Sequence, residues 1–393
     1  MASNISSGLL FLPALCLGGL AANVSGRTVE PLITIISAEF AVGVATAALL
    51  TSAYALPFAL GQPLLGPLGD IYGRPKMLKI SLWLLAAALL IASIAPSFEL
   101  LAVARFCAGL AAGGVVPACM ATIGDAYPPE RRQVVISTFV TMGLLAQIFA
   151  TSASGLVGEM LGWRYVLFAT AVIAVLGAVA ASAILKTPPD TKPKALSLSL
   201  AASGYRDVFR NPKAVLCYTT VFLEGVALYG IMPYVAEIFR QRGLGGATEA
   251  GIVIGAIGVG GLLYVATLTL LLRRFKLHQF MAAGGLLMTV GPLTLAAGTA
   301  WIYAAVAFGV TGLGFMLLHN SIQTEVVDLA PAARQSAYSL HAFSFFSGQA
   351  TGPVVFGMGM VSVGPSISLL ISAVVLALTG IVISKLFQRI EPT

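Results

Sequence analysis

The sequence predicts an all-α membrane protein in which twelve transmembrane helices form two pseudo-symmetric six-helix bundles. Three observations lead to this prediction. Of the 393 residues, 58% are hydrophobic and only 9% are charged, whereas soluble domains carry about 25% charged residues. Apolar runs long enough to cross a bilayer recur along the chain, and part of the first half recurs in the second half. An ordinary soluble protein is therefore excluded.

Twelve apolar segments each approach the length of about 20 residues that a helix needs to cross the hydrocarbon core. They are rich in Leu and Ala and unbroken, whereas transmembrane strands are about ten residues long and alternate in polarity. The predicted helical spans are approximately 8–30, 43–65, 77–95, 99–123, 135–158, 164–185, 213–238, 249–272, 279–298, 300–323, 337–360 and 365–387.

The basic residues predict the orientation of these spans. If both termini are cytoplasmic, 17 of the 22 Lys and Arg residues lie on the cytoplasmic side, as the positive-inside rule requires. The remaining five are Arg27, Arg105, Arg164, Arg240 and Arg242. The net charge of +7 therefore reflects membrane orientation, and we expect the lipid bilayer rather than nucleic acid as a partner.

A polar, proline-containing stretch divides the spans into six and six. It predicts an N-terminal bundle at residues 1–186, a cytoplasmic linker at 187–212 and a C-terminal bundle at 213–393. A shift of 202 residues aligns the fourth loop and fifth span with the tenth loop and eleventh span. The matches are Pro129 with Pro331, Arg132 with Arg334, Gln133 with Gln335, Ser137 with Ser339, Gln147 with Gln349 and Gly155 with Gly357. Halves related in this way enclose a site near the middle of the bilayer.

The loop between the second and third spans reads Gly66-Pro67-Leu68-Gly69-Asp70-Ile71-Tyr72-Gly73-Arg74-Pro75-Lys76. Gly73 permits a tight reversal, and Asp70 suits a helix N-terminus or a basic partner. The loop resembles the signature loop of the major facilitator superfamily, Gly-x-Leu-Ala-Asp-basic-x-Gly-Arg-basic. It departs from that pattern at Ile71 and Pro75.

This resemblance implies the major facilitator fold and a latch that closes the two halves on the cytoplasmic side. The latch would pair Asp70 and Arg74 with Asp125 and with Arg131 or Arg132. These partners lie in the segment Gly124-Asp125-Ala126-Tyr127-Pro128-Pro129-Glu130-Arg131-Arg132, at the cytoplasmic end of the fourth span.

Within the superfamily, the chain is similar to the drug and sugar efflux branch, the proton-antiporter type. The similarity rests on Glu224-Gly225, on His319 and on the segment from Gly155 to Arg164. That branch usually has a Gly-Pro pair in the fifth span, but Thr151 to Gly155 contains no proline, and Gly352-Pro353 stands in the eleventh span instead.

The resemblance implies a secondary active transporter that works by alternating access in the cell inner (plasma) membrane. We expect proton-coupled efflux of a small organic compound. The alternative is a proton-coupled importer or facilitator of a small organic anion, which Arg27, Arg105 and the missing proline favour. Export and import respond to a pH gradient with opposite sign.

Charged side chains inside a span cost at least about 2.5 kcal/mol at the bilayer centre, so those that are present are functional candidates. Arg105 stands about six residues into the fourth span, where the family has an arginine associated with the cavity and with proton coupling. The alternative is that its side chain snorkels to the outer surface. Glu224 lies near the middle of the seventh span, where a low dielectric disfavours the charged carboxylate. It is a proton-carrier candidate or a structural hydrogen-bonding group.

Arg27 and Glu30 are three residues apart near the outer end of the first span and would share a helix face. They either form an ion pair that lines the outer cavity or lie in the interface, if the span ends at Gly26. His319 is a second coupling candidate, because histidine titrates near neutral pH, or a packing residue. Two neighbours of His319 complete this group of candidates, namely Asn320 and Gln323.

Gln147 and Gln349 are repeat-equivalent and near mid-span. They either face the central cavity or join neighbouring helices, as polar side chains do in membranes. Tyr54, Tyr229 and Tyr234 are candidates for aromatic cavity walls, although tyrosines also form belts at membrane interfaces.

The rival class is a membrane enzyme or a sensor that transports nothing. The sequence contains no HExxH, no GxGxxG after a strand, no GKS/T loop and no Cys/His cluster, so we expect no catalytic residues, no cofactor and no metal. The expected partners are a small-molecule substrate and protons, and a monomer suffices for this plan.

Overall fold

A computed structural model describes residues 10–185, 198–331 and 333–390. The side chains of residues 65–71, 129, 130, 133, 137, 198–203, 335 and 390 are outside the described part. All regular secondary structure in the described ranges is helical. The α-helices are α1 (Phe11–Arg27), α2 (Ile33–Glu39), α3 (Val44–Tyr72), α4 (Arg74–Ser93), α5 (Phe98–Gly113), α6 (Val115–Ala126), α7 (Pro129–Leu161), α8 (Trp163–Ile184), α9 (Leu198–Phe209), α10 (Lys213–Glu224), α11 (Val235–Arg242), α12 (Ala247–Leu272), α13 (Leu277–Met288), α14 (Val290–Ala296), α15 (Trp301–Asp328), α16 (Arg334–Ser362) and α17 (Pro365–Ile390).

Ten helical segments in the described part of the chain are long and apolar enough to cross a membrane. They coincide with the second to tenth and the twelfth predicted spans. Their bounds are Val44–Leu64, Arg74–Ser93, Phe98–Ala126, Val134–Leu161, Trp163–Ile184, Lys213–Arg242, Ala247–Leu272, Leu277–Ala296, Trp301–Asp328 and Pro365–Arg389. The all-helical membrane fold is therefore confirmed, and the full count of twelve spans stays a prediction.

The two remaining predicted spans are helical, but each has a feature that sets it apart. The helix α1 has only 17 residues, because the chain leaves the α-helical path before Pro31 and forms a 3₁₀ turn over Glu30–Leu32. The helix α16 has 29 residues, but serines, His341 and Gln349 reduce its mean hydropathy.

Three predicted spans are broken inside the membrane region. The fourth is interrupted at Gly114, between α5 and α6, and the ninth at Thr289, where Pro292 has no N–H for the carbonyl of Met288. In the seventh, α10 is followed by a π-helical turn over Gly225–Tyr229 and a 3₁₀ turn over Met232–Tyr234. Such π turns occur frequently at functional sites.

The antiparallel helices give the molecule two ends. We call the end with the loops at residues 73, 127–128, 273–276 and 329–331 the basic end, and the other end the opposite end. The helix α7 packs along α12, and α3 packs along α16. These two contacts join the first six predicted spans to the last six.

At the opposite end, α7 and α12 touch through their backbones. A Cβ atom at Gly155 would overlap the carbonyl oxygen of Ala247, and one at Gly251 would overlap the carbonyl oxygen of Thr151. Only glycine permits this approach. Close packing through small residues is typical of helices in membranes, and here it seals the two helices at the opposite end.

A polar cavity between the helices

A cavity of about 630 Å³ lies between α1, α3, α7, α12, α15, α16 and the π and 3₁₀ turns that follow α10. Its volume is within the range of about 300–1,000 Å³ that small-molecule sites show. Toward the basic end its lining includes Val140, Val265 and Tyr338, which are exposed. At the opposite end Arg27 and Glu30 line it, and the chain just beyond them, at Leu32 and Ile33, is fully buried. The cavity is therefore open toward the basic end and closed at the opposite end.

The wall formed by α15 carries one member of an acid–base pair whose other member lies behind it on α10. Oε2 of Glu224 lies 2.8 Å from Nδ1 of His319. Glu224 is completely buried, whereas the His319 side chain is 14% exposed and lines the cavity. The other carboxylate oxygen of Glu224, Oε1, has no hydrogen-bond partner among the described residues. The imidazole thus stands between the carboxylate and the cavity.

Aromatic rings surround this imidazole. The ring centroids of Phe315 and Phe345 lie 4.9 and 4.5 Å from that of His319. Both phenylalanines also pack edge-on against Tyr229, at 5.8 and 5.5 Å. On the side of His319 toward α16, the ring of His341 lies 4.8 Å away. A continuous set of rings therefore runs from the acid–base pair to the π turn that holds Tyr229.

An ion pair closes the cavity at the opposite end. Nη1 of Arg27 donates to Oε1 of Glu30 at 2.9 Å, and both side chains line the cavity. The Arg27 guanidinium also lies over the ring of Tyr229, 4.2 Å from its centroid. Because Arg27 belongs to α1 and Tyr229 follows α10, this cation–π contact connects the two halves of the sequence.

Arg105 is fully buried and takes no part in the cavity wall as described. Nη1 donates to the carbonyl oxygen of Ser25 at 2.7 Å, and Nε points at that of Leu50 at 3.5 Å. The guanidinium lies 4.4 Å from the centroid of the Tyr54 ring. Arg105 therefore braces α1, α3 and α5 behind the cavity, and its side chain does not snorkel to a surface.

Five carboxamide side chains line the cavity, together with hydroxyl groups of threonines and tyrosines. The amides that line it are Asn23, Gln147, Asn320, Gln323 and Gln349. Gln147 donates to Oδ1 of Asn23 at 3.4 Å, and Asn320 donates to the sulfur of Met316 at 3.4 Å. Nε2 of the buried Gln349 has no partner among the described residues. Donors and acceptors thus face the cavity from both halves of the sequence.

The sequence pattern that defines the Major Facilitator Superfamily matches residues 15–353. The chain belongs to the major facilitator superfamily. The family that the loop at residues 66–76 indicates is therefore confirmed, and the match extends over nearly the whole chain.

Curated members of this superfamily are similar to the chain. The "Uncharacterized MFS-type transporter YwfA" of Bacillus subtilis is 27% identical over 71% of this chain and 68% of its own length. The "Chloramphenicol resistance protein" of Streptomyces lividans is 25% identical over 82% of each chain. The "Purine ribonucleoside efflux pump NepI" of Escherichia coli is 22% identical over 77% of this chain and 74% of its own.

The crystal structure of a single-residue mutant of the nucleoside transporter NupG has a similar fold. The TM-score is 0.78, the sequence identity is 16%, and the alignment covers 98% of this chain and 100% of NupG. At this low sequence identity the similarity shows the fold alone.

The superfamily's signature loop lies at the basic end. Gly73 adopts a φ of 90°, which allows the tight reversal between α3 and α4. Nη1 of Arg74 donates to both carboxylate oxygens of Asp125, at 2.7 and 2.8 Å. The Arg132 guanidinium donates to the carbonyl oxygen of Tyr127 at 3.2 and 3.3 Å, and Arg131 is exposed. Gly66 and Asp70 lie among the residues whose side chains are not described.

The cavity brings together most of the residues that the sequence predicts for the solute and proton pathway. They are Arg27, Glu30, Gln147, Tyr229, His319, Asn320, Gln323 and Gln349, with Glu224 directly behind His319. Arg105 lies outside this lining. So does Tyr234, whose hydroxyl donates to the carbonyl oxygen of Pro353 at 2.7 Å, whereas Tyr54 lines the cavity.

Sequence reasoning missed Asn23, His341 and the aromatic residues Phe315 and Phe345. His341 precedes Gln349 by eight residues, close to two helical turns, so the two share a face of α16. That spacing, and the rarity of histidine in a span, are the features from which His341 could have been found. Nothing in the sequence distinguishes Phe315 and Phe345 from lipid-facing phenylalanines.

Proposed function

We propose that this chain is a proton-coupled exporter of a small organic compound that works by alternating access. The observation that carries the proposal is the contact between Glu224 and His319 in the wall of the cavity. The solute would occupy the cavity, and the proton would occupy this pair.

The reason lies in how burial restricts the charge of the pair. A buried carboxylate is unfavourable unless it is paired and hydrogen-bonded. Glu224 is fully buried and contacts His319, whose imidazole reaches the cavity. A proton that moves between the cavity and Glu224 must therefore pass His319. A solute that displaces or contacts the imidazole changes the affinity of the pair for its proton, and by linkage the proton changes the affinity for the solute.

The cavity lining favours an uncharged or cationic solute over an anion. Among the described lining residues, the only guanidinium or ammonium group is that of Arg27, and Glu30 pairs with it. The alternative, transport of an organic anion, needs a cationic group that is free to bind the anion. Aromatic rings and carboxamides instead suit a ring system that carries hydroxyl or amide groups. The names of the similar proteins place chloramphenicol and purine ribonucleosides among the first compounds to test.

Alternating access requires a second state that is open at the opposite end. The present state is open at the basic end, which we propose faces the cytoplasm. We further propose that the protein is a monomer in the inner (plasma) membrane of the cell. The bundles proposed at residues 1–186 and 213–393 would move against each other, so that the α7–α12 contact separates when the basic end closes.

The test uses purified protein in proteoliposomes with an imposed pH gradient and three probes, chloramphenicol, inosine and ethidium. Proton antiport predicts that an acidic interior drives uptake of a transported probe. Glu224→Gln should abolish this gradient-driven uptake, whereas Glu99→Gln, a control at an exposed position of α5, should retain it. The proposal fails if Glu224→Gln transports as well as the parent with the same pH dependence. Uptake driven by an acidic exterior would support the importer instead.

A further inference from the structure

His341 is a buried titratable residue that is not part of the Glu224–His319 pair. It lies on α16 with 2% of its surface exposed. Its ring meets that of His319 edge-on, with 4.8 Å between the centroids and 63° between the planes. Nε2 of His341 is buried and has no hydrogen-bond partner among the described residues. A buried polar atom without a partner destabilises the folded state, so its presence in an apolar span calls for a function.

We propose that His341 is the third member of the proton site, and that one proton is shared among Glu224, His319 and His341. The inference rests on the proposed function, because it extends the site that would hold the transported proton. It assigns a proton acceptor on α16 in addition to those on α10 and α15.

The surroundings of His341 leave His319 as its titratable neighbour. Helices α3, α9, α10, α15 and α17 pack against α16, as do the π turn and the 3₁₀ turn that follow α10. On α15, the ring of His319 lies 4.8 Å from that of His341. On α10, Glu224 contacts Nδ1 of His319, and Tyr218 donates to the carbonyl oxygen of Ala337 at 3.2 Å. In the two turns, Tyr229 packs against Phe345 at 5.5 Å, and Tyr234 donates to the carbonyl oxygen of Pro353. On α16 itself, the ring of Tyr338 lies 6.3 Å away.

Two imidazolium rings at this distance repel each other. Protonation of one histidine therefore disfavours protonation of the other, and the two rings with Glu224 titrate as a unit rather than as separate groups. The unit has a definite order in space, with Glu224 innermost in α10, His319 at the cavity and His341 in α16. A proton that leaves the Glu224–His319 pair when the solute disturbs His319 can reside on His341 and return.

Because the chain has only three histidines, a decisive experiment needs no known solute. Protein labelled with ¹⁵N at the histidine side chains is placed in lipid nanodiscs, and its imidazole resonances are followed from pH 5 to pH 9. His278→Gln, His319→Gln and His341→Gln assign the three sets of signals. His278, in the first turn of α13 at the basic end, is the control.

If the inference is right, the resonances of His319 and His341 change together, in the same steps. His341→Gln should then move the titration curve of His319 by at least about 0.6 pH unit, the repulsion expected at 4.8 Å even in the dielectric of water. His278→Gln should leave that curve unchanged. The parent spectrum alone decides the matter if His341→Gln does not fold.

The inference is overturned if His341 keeps the shifts of a neutral ring across this range while His319 titrates, or if the two titrate independently. This outcome is separate from failure of the proposed function. If Glu224→Gln retains gradient-driven transport, the exporter proposal fails whatever the resonances show. If Glu224→Gln loses that transport and His341 does not titrate, only the three-membered site is wrong.

Discussion

The carboxylate of Glu159, near the end of α7, accepts a hydrogen bond from the backbone nitrogen of Ala247, the first residue of α12, at 2.6 Å. Its second oxygen accepts from the hydroxyl of Thr248. The first N–H groups of a helix have no partner within the helix and favour a negative charge. Glu159 therefore joins the two halves of the sequence at the opposite end and holds it closed.

Removal of this contact is expected to favour opening of the opposite end. Glu159→Ala should raise the open population at least tenfold, because a hydrogen bond to a charged group contributes about 1.5–3 kcal/mol and about 1.4 kcal/mol corresponds to a factor of ten. The population can be measured from distances between spin labels at Leu161 and Val363, in protein without its native cysteines. Glu249→Ala is the control, since the Glu249 carboxylate accepts from the backbone nitrogen of Gly246 at the start of its own helix. Equal label distances in Glu159→Ala and in the control would show that Glu159 does not hold the opposite end closed.

The backbone contact of α7 with α12 makes a second prediction. Gly155→Ala places a methyl group against the carbonyl oxygen of Ala247, so the helices must separate, and the closed state should lose about 1–3 kcal/mol. Thermal unfolding in nanodiscs should show a lower midpoint, and the spin-label distances should lengthen. At Gly124, within α6, a Cβ meets no atom within 4 Å, so Gly124→Ala should neither lower the midpoint nor lengthen the distances. If Gly155→Ala changed neither the unfolding midpoint nor the spin-label distances, α7 and α12 would not be in contact in the membrane.

Arg105 is expected to matter for stability more than for solute binding, because it lies behind the cavity wall. Arg105→Lys keeps the charge but loses the planar group that stacks on Tyr54 and bonds to Ser25. We expect a loss of about 2 kcal/mol in unfolding free energy and a probe affinity within about threefold of the parent. Tyr54→Phe, which keeps the ring, should lose less. A variant with normal stability and no probe binding would instead place Arg105 in the solute site.

Tyr229 is expected to couple the acid–base pair to the closed end. Tyr229→Leu removes the ring between Arg27 and the phenylalanines beside His319, and a buried cation–π contact contributes about 2 kcal/mol. Gradient-driven uptake of a transported probe should fall about tenfold, while Tyr229→Phe, which retains the ring, should remain near the parent. Tyr264→Leu, at another cavity-lining tyrosine, controls for loss of bulk. Equal rates in the two leucine variants would contradict a coupling role.

The sequence predicts the helices well because span length and the positions of proline are local properties. The break before Pro31 follows from proline chemistry, as does the break before Pro292. By contrast, the π turn after Glu224 depends on packing against α16, where glycines of both helices meet. No pattern in the local sequence specifies that turn.

The candidate residues of the site could be found from the cost of polarity in an apolar span, but their pairing could not. Glu224 and His319 are 95 residues apart in sequence, and only the tertiary packing of α10 on α15 brings them together. Arg105 shows the same limit, since its position in the fourth span leaves open whether it faces the cavity or the helices behind it. Its orientation depends on the free carbonyl groups near the end of α1.

The glycine contact between α7 and α12 also affects how readily the molecule can cycle. Side chains lose rotational freedom when they are fixed in an interface, and glycine has none to lose. A seal made of backbone can therefore form and separate repeatedly without a large change in side-chain entropy. A few polar contacts are then what opposes separation of α7 from α12 at the opposite end. This is suited to a contact that must open in every transport cycle.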